Sequence, residues 1–281
     1  MFLGLDLGTS SVKVIVINDD GEISSKSSQS LSLSSPNPLW NEQSPSDWLE
    51  AAETAILKIP KNIRSKLKGM GLSGQMHGAV LLDKKERPIR PAILWNDGRS
   101  FEECKELEKK LPNLNKITGN QIMPGFTSPK IEWVRKYEKE NFSAIQKILL
   151  PKDYLRLKWS GEFATDTSDA SGTMWLNTKK RSWSNDALEI SGISSQQLPE
   201  LFEGNQITGK ISKSSSKKLG IPMIPIVAGA GDQAAGAIGS SVINPDDASL
   251  VLGTSGVIFL VTDGFLPNLK QGIHAFCHTV P

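Results

Sequence analysis

The sequence is poor in cysteine, with only Cys104 and Cys277 among 281 residues. The two lie far apart, and neither has the close partners that a zinc site or a disulfide framework requires. Reduced thiols in a cytoplasmic protein are therefore expected.

Long apolar runs and a strong excess of either charge are also absent. No stretch approaches the ~18 apolar residues of a membrane helix. The opening residues carry Asp6 without a basic flank, unlike a secretory signal peptide. Lysine and arginine (32) nearly balance aspartate and glutamate (30), for a net charge of +2. This balance argues against a dedicated binder of nucleic acid or membrane, so we expect small-molecule partners and a cytoplasmic location.

The hydrophobic pattern predicts an α/β protein. Runs at 2–7, 12–17 and 30–34 predict a three-stranded antiparallel meander. Residues 44–47 (Ser-Pro-Ser-Asp) form a capping box with proline at the first helical position, which predicts a helix. Strands and helices then alternate, as expected for a mixed sheet flanked by helices. The further strands are predicted at 70–73, 79–82 and 145–150, and the further helices start near 101, 128 and 151.

The pattern changes near residue 222. Residues 182–220 are polar, with scattered leucines, and are predicted to form a surface helix and a solvated loop. An apolar run at 224–229 then predicts a new strand, followed by a glycine-rich turn and helix and by two strand-like runs. We therefore predict two domains, 1–222 and 223–281.

A short repeat links the two predicted domains. Leu-Gly-Thr-Ser-Ser-Val at 7–12 recurs as Leu-Gly-Thr-Ser-Gly-Val at 252–257, each time between two apolar runs. A tight hairpin with exposed amides and hydroxyls can bind an anion. Two such hairpins facing each other could hold a polyphosphate, and two ordinary β-turns are the alternative.

Asp232 stands alone among glycines at the end of the strand predicted at 224–229. The local glycine pattern loosely fits a dinucleotide-binding turn, but a carboxylate would repel a pyrophosphate there. A glycine-flanked acid at a strand end better suits a reacting hydroxyl, as a catalytic base.

Six segments, in the right order, resemble the FGGY family of carbohydrate kinases over essentially the whole chain. They are 6–10 (DLGTS), 73–78 (SGQMHG), 93–99 (ILWNDGR), 150–155 (LPKDYL), 231–232 (GD) and 252–256 (LGTSG). The resemblance implies the actin/hexokinase-like (ribonuclease H-like) fold, with two related domains around an active-site cleft. It also implies phosphoryl transfer from ATP to a sugar. The second and third segments are most typical of members that convert D-xylulose to D-xylulose 5-phosphate.

The resemblance also implies roles for individual residues. Asp232 is expected to be the general base for the sugar's terminal hydroxyl, and Asp6 to help hold Mg²⁺ through water. The residues expected to face the terminal phosphate of ATP are Gly8, Thr9, Ser10, Gly253, Thr254 and Ser255. Those expected to line the sugar pocket are Met76, His77, Asp97 and Gln233. Lys13, just past the first turn, is either a further phosphate ligand or a surface lysine.

Two departures from the family pattern matter. The residue after the catalytic acid is usually asparagine in the members that act on D-xylulose, and here it is Gln233. Family members also continue well beyond Pro281, so the second domain is expected to be incomplete in this chain, and a second copy could cover its exposed edges as a homodimer. Residues 1–281 alone are therefore expected to bind ATP weakly and to show no measurable turnover. The alternatives are another sugar or polyol kinase of the family, and a truncated, non-catalytic sugar-binding protein.

Overall fold

Strands and helices alternate along the chain, as expected for an α/β protein. The computed structural model describes residues 1–252 and 256–280. Its strands are β1 (Phe2–Leu7), β2 (Ser11–Ile17), β3 (Ile23–Ser30), β4 (Glu42–Gln43), β5 (Gly69–Gly74), β6 (Val80–Leu82), β7 (Ala92–Ile93), β8 (Lys147–Leu149), β9 (Ala164–Asp166), β10 (Leu176–Asn177), β11 (Ser182–Trp183), β12 (Glu200–Phe202), β13 (Ile207–Lys210), β14 (Pro225–Val227), β15 (Ala230–Gly231), β16 (Ala248–Leu252) and β17 (Gly256–Leu260). Its helices are α1 (Pro45–Lys58), α2 (Lys61–Arg64), α3 (Phe101–Lys110), α4 (Leu114–Thr118), α5 (Thr127–Tyr137), α6 (Lys139–Ala144), α7 (Pro151–Ser160), α8 (Thr167–Ala170), α9 (Asn185–Ile190), α10 (Lys213–Leu219) and α11 (Asp232–Gly239).

A mixed sheet of seven strands organises the chain, in the order β13-β14-β5-β1-β2-β3, with β15 also paired to β5. β1, β2 and β3 form an antiparallel meander, whereas β5 runs parallel to β1. β14 and β15 both run parallel to β5, so β1, β5 and β15 end at the same edge.

Alternation along β1 and β2 separates a core face from a polar face. Leu3, Leu5, Leu7, Val12, Val14 and Val16 are each at most 2% exposed. They belong to one apolar cluster with Trp48, Ala52 and Ile56 of α1. Because side chains alternate along a strand, Asp6 and Lys13 lie on the other face. These two residues pair directly across β1 and β2.

The predicted meander is confirmed, but its third strand was placed wrongly at 30–34. The strand that pairs with β2 is the serine-rich β3, whose contacts with α1 are polar. The Ser27 hydroxyl donates to the Ala55 carbonyl at 2.6 Å, and Lys58 donates to the Ser28 carbonyl at 2.8 Å. Because β3 lies at the sheet edge and is held by hydrogen bonds, its sequence has no alternation of apolar and polar residues that would predict a strand.

Residues 182–220 are more structured than a surface helix and a loop, so that prediction was wrong. This segment contains α9 and α10, β12 pairs with β9, and β13 forms an edge strand of the main sheet. Ile211 and Leu219 are almost fully buried in the main core. A few scattered apolar residues therefore anchor the segment.

The sheet also crosses the predicted domain boundary, because β14 and β15 lie beyond residue 222 and pair with β5. The division at residue 222 stays a prediction. Further on, β16 and β17 form an antiparallel hairpin with Leu252 opposite Gly256. The second copy of the repeat thus also lies beside paired strands, while Gly253, Thr254 and Ser255, predicted to form a phosphate-binding turn, lie outside the described residues. Among the helices that the structure describes, none has the length and hydropathy needed to cross a bilayer.

Candidate active site

Two carboxylates meet where β1, β5 and β15 end side by side. Asp6 on β1 pairs with Ser73 on β5, and Ser73 pairs with Ala230 on β15. Asp232 follows β15 as the first residue of α11. The Ser73 hydroxyl donates a hydrogen bond to Asp6 Oδ1 at 3.3 Å, and the exposed Lys13 pairs with Asp6 from the other side. The two residues predicted to be catalytic therefore lie at the same edge of the sheet, on either side of β5.

The charge of Asp6 influences the protonation of Asp232. Burial raises the pKa of Asp6, and the Ser73 hydroxyl and the charge of Lys13 partly offset this. Burial of its carboxyl group also raises the pKa of Asp232, although the residue as a whole is exposed. The backbone N–H of Gln233 donates to Asp232 Oδ1 at 2.8 Å and lowers this pKa, whereas the charge of Asp6 raises it. Mutually repelling carboxylates are the kind of pair that a cation stabilises.

This edge suits Mg²⁺ bound in part by the protein. The described residues contain no cluster of three or more His, Cys, Asp or Glu side chains that could enclose a metal ion. Mg²⁺ commonly uses one or two carboxylates and completes its shell with water and substrate phosphates. Asp6, the residue predicted to help hold the ion, fits that mode.

The turn between β1 and β2 offers backbone amides to an anion. The Thr9 hydroxyl donates to Gln75 Oε1 at 3.0 Å and accepts from Trp95 Nε1 at 2.9 Å, so it is engaged within the protein. The amides of Thr9 and Ser10, by contrast, donate to no acceptor in the described part of the chain. Successive free amides form an anion-binding nest. Of the phosphate ligands predicted here, the amides therefore fit that role better than the Thr9 hydroxyl does.

His77 is held in a strained backbone conformation beside this edge. Its φ is +67°, and a left-handed non-glycine residue costs about 1–3 kcal/mol. Thr127 and Lys130 donate to the His77 carbonyl at 3.1 and 2.9 Å. The ring Nδ1 lies 2.8 Å from the Gly172 carbonyl, and the ring packs edge-on against Phe126. Burial lowers the pKa of His77 to about 3, and the charge of Lys130 contributes, so the imidazole is neutral at pH 7.

Met76 connects His77 to the strand that leads to Asp232. A Cβ on Gly231 would lie 2.8 Å from the Met76 sulfur, and a Cβ on Gly172 would lie 3.3 Å from Met76 Cε. Glycine at both positions lets the Met76 side chain lie against the backbone. The structure thus brings the predicted pocket residues Met76 and His77 to the site of the predicted base.

Asp97 lies in different surroundings. It is 2% exposed, and both carboxylate oxygens are engaged. Arg99 donates to Oδ1 through Nε at 2.9 Å and to Oδ2 through a guanidinium NH₂ at 2.7 Å, and the Asn41 amide donates to Oδ2 at 2.6 Å. Its predicted contact with a sugar hydroxyl stays a prediction, and this geometry favours a structural role.

A fully buried ionic cluster lies beneath the strand that carries Asp232, and the sequence did not reveal it. Lys152 Nζ lies 2.7 Å from Asp153, 2.7 Å from Asp166 and 3.1 Å from Asp169. Asp166 accepts a hydrogen bond from the Ser168 hydroxyl, which in turn accepts from the Gly231 amide at 3.2 Å. These residues fix the backbone next to Asp232. The sequence feature that could have indicated this cluster is the 150–155 segment, which contains Lys152.

Two related observations identify the class of protein. The family model for the N-terminal domain of the FGGY carbohydrate kinases matches residues 1–239. The chain belongs to this family, and its sheet and neighbours show the actin/hexokinase-like α/β fold that the resemblance implied.

Individual relatives are similar over the whole chain. The xylulose kinase of Escherichia coli (strain K12) is 49% identical over 282 residues, covering 100% of this chain and 58% of the relative. A crystal structure described as a "xyloylose kinase" from Brucella ovis has a TM-score of 0.96 at 43% identity, covering 99% of this chain and 58% of that one. A gluconate kinase structure from Lactobacillus acidophilus has a TM-score of 0.87 at 27% identity, covering 92% and 53%. The chain thus spans somewhat more than half the length of these relatives.

Proposed function

We propose that the protein transfers a phosphoryl group from ATP to D-xylulose, giving D-xylulose 5-phosphate. The observation that carries the proposal is that Asp6 and Asp232 lie at one edge of the sheet. Met76 packs there against β15, the strand that leads to Asp232, and is followed by His77. Relatives named xylulose kinase, at up to 49% identity across the chain, support this choice of sugar.

Asp232 would act as the general base. It accepts the proton of the sugar hydroxyl while that oxygen attacks the terminal phosphorus of ATP, and ADP leaves. A carboxylate with a raised pKa is a stronger base than an ordinary aspartate. Positioning and charge neutralisation supply most of the catalysis in phosphoryl transfer. The amides of Thr9 and Ser10 would bind the terminal phosphate.

Asp6 would help hold Mg²⁺ at this edge through water, and the ion when bound would neutralise phosphate charge, which leaves Asp232 free to act as the base. Lys13 faces Asp6 across the strands and would add positive charge. Gly8 shapes the turn, and its amide bonds the Ser11 carbonyl at 3.1 Å. Gly253, Thr254 and Ser255 would supply the second phosphate-binding turn.

A coupled assay of ADP release tests the proposal. Turnover with D-xylulose, ATP and Mg²⁺ is expected from a chain that carries the complete second domain, and none without the sugar. Residues 1–281 alone are expected to show no measurable turnover. The gluconate kinase neighbour makes another sugar of the family the second candidate. Higher kcat/KM for gluconate, ribulose or glycerol would establish it instead. Sugar binding by calorimetry without ATP binding or turnover would support a non-catalytic sugar-binding protein.

Two further parts of the proposal concern the cellular location and the oligomeric state of the enzyme. A cytoplasmic location matches the need for ATP and is tested by fractionation. A homodimer is tested by light scattering, and a monomeric mass at all concentrations would contradict it.

A further inference from the structure

A second imidazole, that of His274, lies on the same aromatic ring as His77. The Phe126 ring centroid is 4.7 Å from that of His77 and 6.1 Å from that of His274, the latter in a stacked arrangement. His274 reaches this place because the segment after the β16–β17 hairpin returns to the first core. There the Ala275 amide donates to the Gly119 carbonyl at 2.9 Å. Two imidazoles distant in the sequence thus pack on one aromatic ring.

The protonated nitrogen of His274 is fixed by Asn120. The Asn120 side-chain NH₂ donates to the Thr118 carbonyl at 2.8 Å and to the Ala275 carbonyl at 3.1 Å. Its Oδ1 must therefore be the atom that meets His274 Nδ1 at 3.0 Å, and Nδ1 must donate. A neutral ring protonated at Nδ1 has an acceptor at Nε2. In the described part of the chain, no group donates to that nitrogen.

The same logic applies to His77. Its Nδ1 faces the Gly172 carbonyl, which can only accept. Nε2 of His77 is therefore also an acceptor, and it has no donor among residues 1–252 and 256–280. Burial lowers the pKa of both histidines, so both rings are neutral at pH 7. The two rings on Phe126 thus offer two imidazole acceptors and no imidazolium charge.

We propose that His77 and His274 bind one neutral polyol together, each accepting a hydrogen bond at Nε2 from a different hydroxyl group. The inference deepens the proposed function, since it rests on the same sugar site and adds a residue that the sequence did not indicate. It also defines the substrate class. Two lone pairs attract hydroxyl donors and repel a carboxylate, so the pair favours a ketose over a sugar acid such as gluconate.

The variant His274→Asn separates this role from a structural one. An asparagine NH₂ can still donate to Asn120, but the acceptor at Nε2 is lost. We expect the Kd and KM for D-xylulose to rise about 3- to 10-fold, the cost of one hydrogen bond, with the KM for ATP unchanged. His274→Gln, which restores an acceptor oxygen, should recover part of the affinity. His278→Asn is the matched control, because His278 contacts the Val242 carbonyl instead.

Monodeoxy analogues of D-xylulose complete the test. One of these analogues lacks the hydroxyl that His274 binds. Wild type and His274→Asn should bind that analogue with equal affinity. An equal loss with every analogue, or wild-type affinity in a variant whose unfolding midpoint is unchanged, would overturn the inference. If His274→Asn does not fold, the same comparison is made with His274→Phe, which keeps the stacking on Phe126. Wild-type protein that neither binds nor phosphorylates D-xylulose would refute the proposed function itself. Because this result is obtained with the wild type, it is distinguishable from a failure of the inference about His274.

Discussion

Asp6 on β1 and Asp232 just after β15 lie on either side of β5, and the charge of Asp6 adds to the effect of burial in raising the pKa of Asp232. This arrangement gives two chemically identical side chains different surroundings. Asp6 accepts a hydrogen bond from Ser73 and faces Lys13, whereas Asp232 accepts only a local bond from the Gln233 amide within the described chain. The carboxylate with fewer compensating partners is the better proton acceptor.

Removing that carboxylate should abolish catalysis and spare sugar binding. In Asp232→Asn the shape is kept but the proton acceptor is lost, so kcat should fall by about 10²–10⁴-fold. Calorimetry should show a Kd for D-xylulose close to that of wild type. Asp20→Asn, in the exposed β2–β3 turn, is the control and should keep full activity. More than about a tenth of wild-type kcat in Asp232→Asn would argue against a general base.

The pH dependence of activity should reflect the interaction between Asp6 and Asp232. Asp232 must be ionised to accept a proton, and its pKa lies above the ordinary value of 3.8. Activity should therefore decline, as the pH falls, at a higher pH than an unperturbed aspartate would give. Asp6→Asn removes the repelling charge, so the acidic limb of log kcat/KM should move to lower pH, whatever the loss in absolute rate. A limb that stays in place would mean that another group controls it.

Parts of this site could be predicted because their signals are local. The alternation in β1 and β2 and the short apolar run of β5 place Asp6 and Ser73 at strand ends, and the glycines around Asp232 mark a turn. Asp97 shows what the local sequence does not predict. Its partner Arg99 lies only two residues away, yet nothing in a loop sequence tells whether a carboxylate faces a ligand or a buried guanidinium.

The rest depends on contacts between distant segments. Lys152 meets Asp166 and Asp169 only after α7 packs against β9 and α8. His274 joins His77 only because the end of the described chain folds back onto Phe126. Such long-range contacts leave no periodic pattern, so the sequence indicated neither the ionic support of Asp232 nor the second histidine.

A methyl group at Gly172 should damage the sugar pocket selectively. A Cβ there would overlap His77 Nδ1 and press on the Met76 methyl group, and the neighbouring backbone is buried. Gly172→Ala should therefore displace the imidazole and raise the KM for D-xylulose at least about tenfold, the equivalent of ~1.4 kcal/mol, with a smaller change in the KM for ATP. Gly239→Ala is the control, because its Cβ would meet open space. Equal effects of Gly172→Ala on both substrates would point to general unfolding.

Arg99 should be essential for stability rather than for chemistry. Its side chain is 1% exposed and lies 2.7 Å from both Asp97 and Glu42. Its guanidinium also lies 3.8 Å from the centroid of Trp40. Arg99→Leu would leave the buried Asp97 carboxylate without its cation, whereas Glu42 would keep Arg90, and breaking a buried pair in this way costs about 3–5 kcal/mol. Urea unfolding should show a loss of that size.

Two comparisons make this prediction specific. Arg87→Leu removes an ion pair with Asp83 in which the arginine is 67% exposed, so its cost should stay below about 1 kcal/mol. Asp97→Asn added to Arg99→Leu removes the stranded charge and should recover part of the lost stability. Asp97→Asn alone also decides the role of that residue. If Asp97 binds the sugar, the KM for D-xylulose rises while stability is kept, whereas a structural Asp97 lowers the free energy of unfolding and leaves the KM of the folded enzyme near its wild-type value.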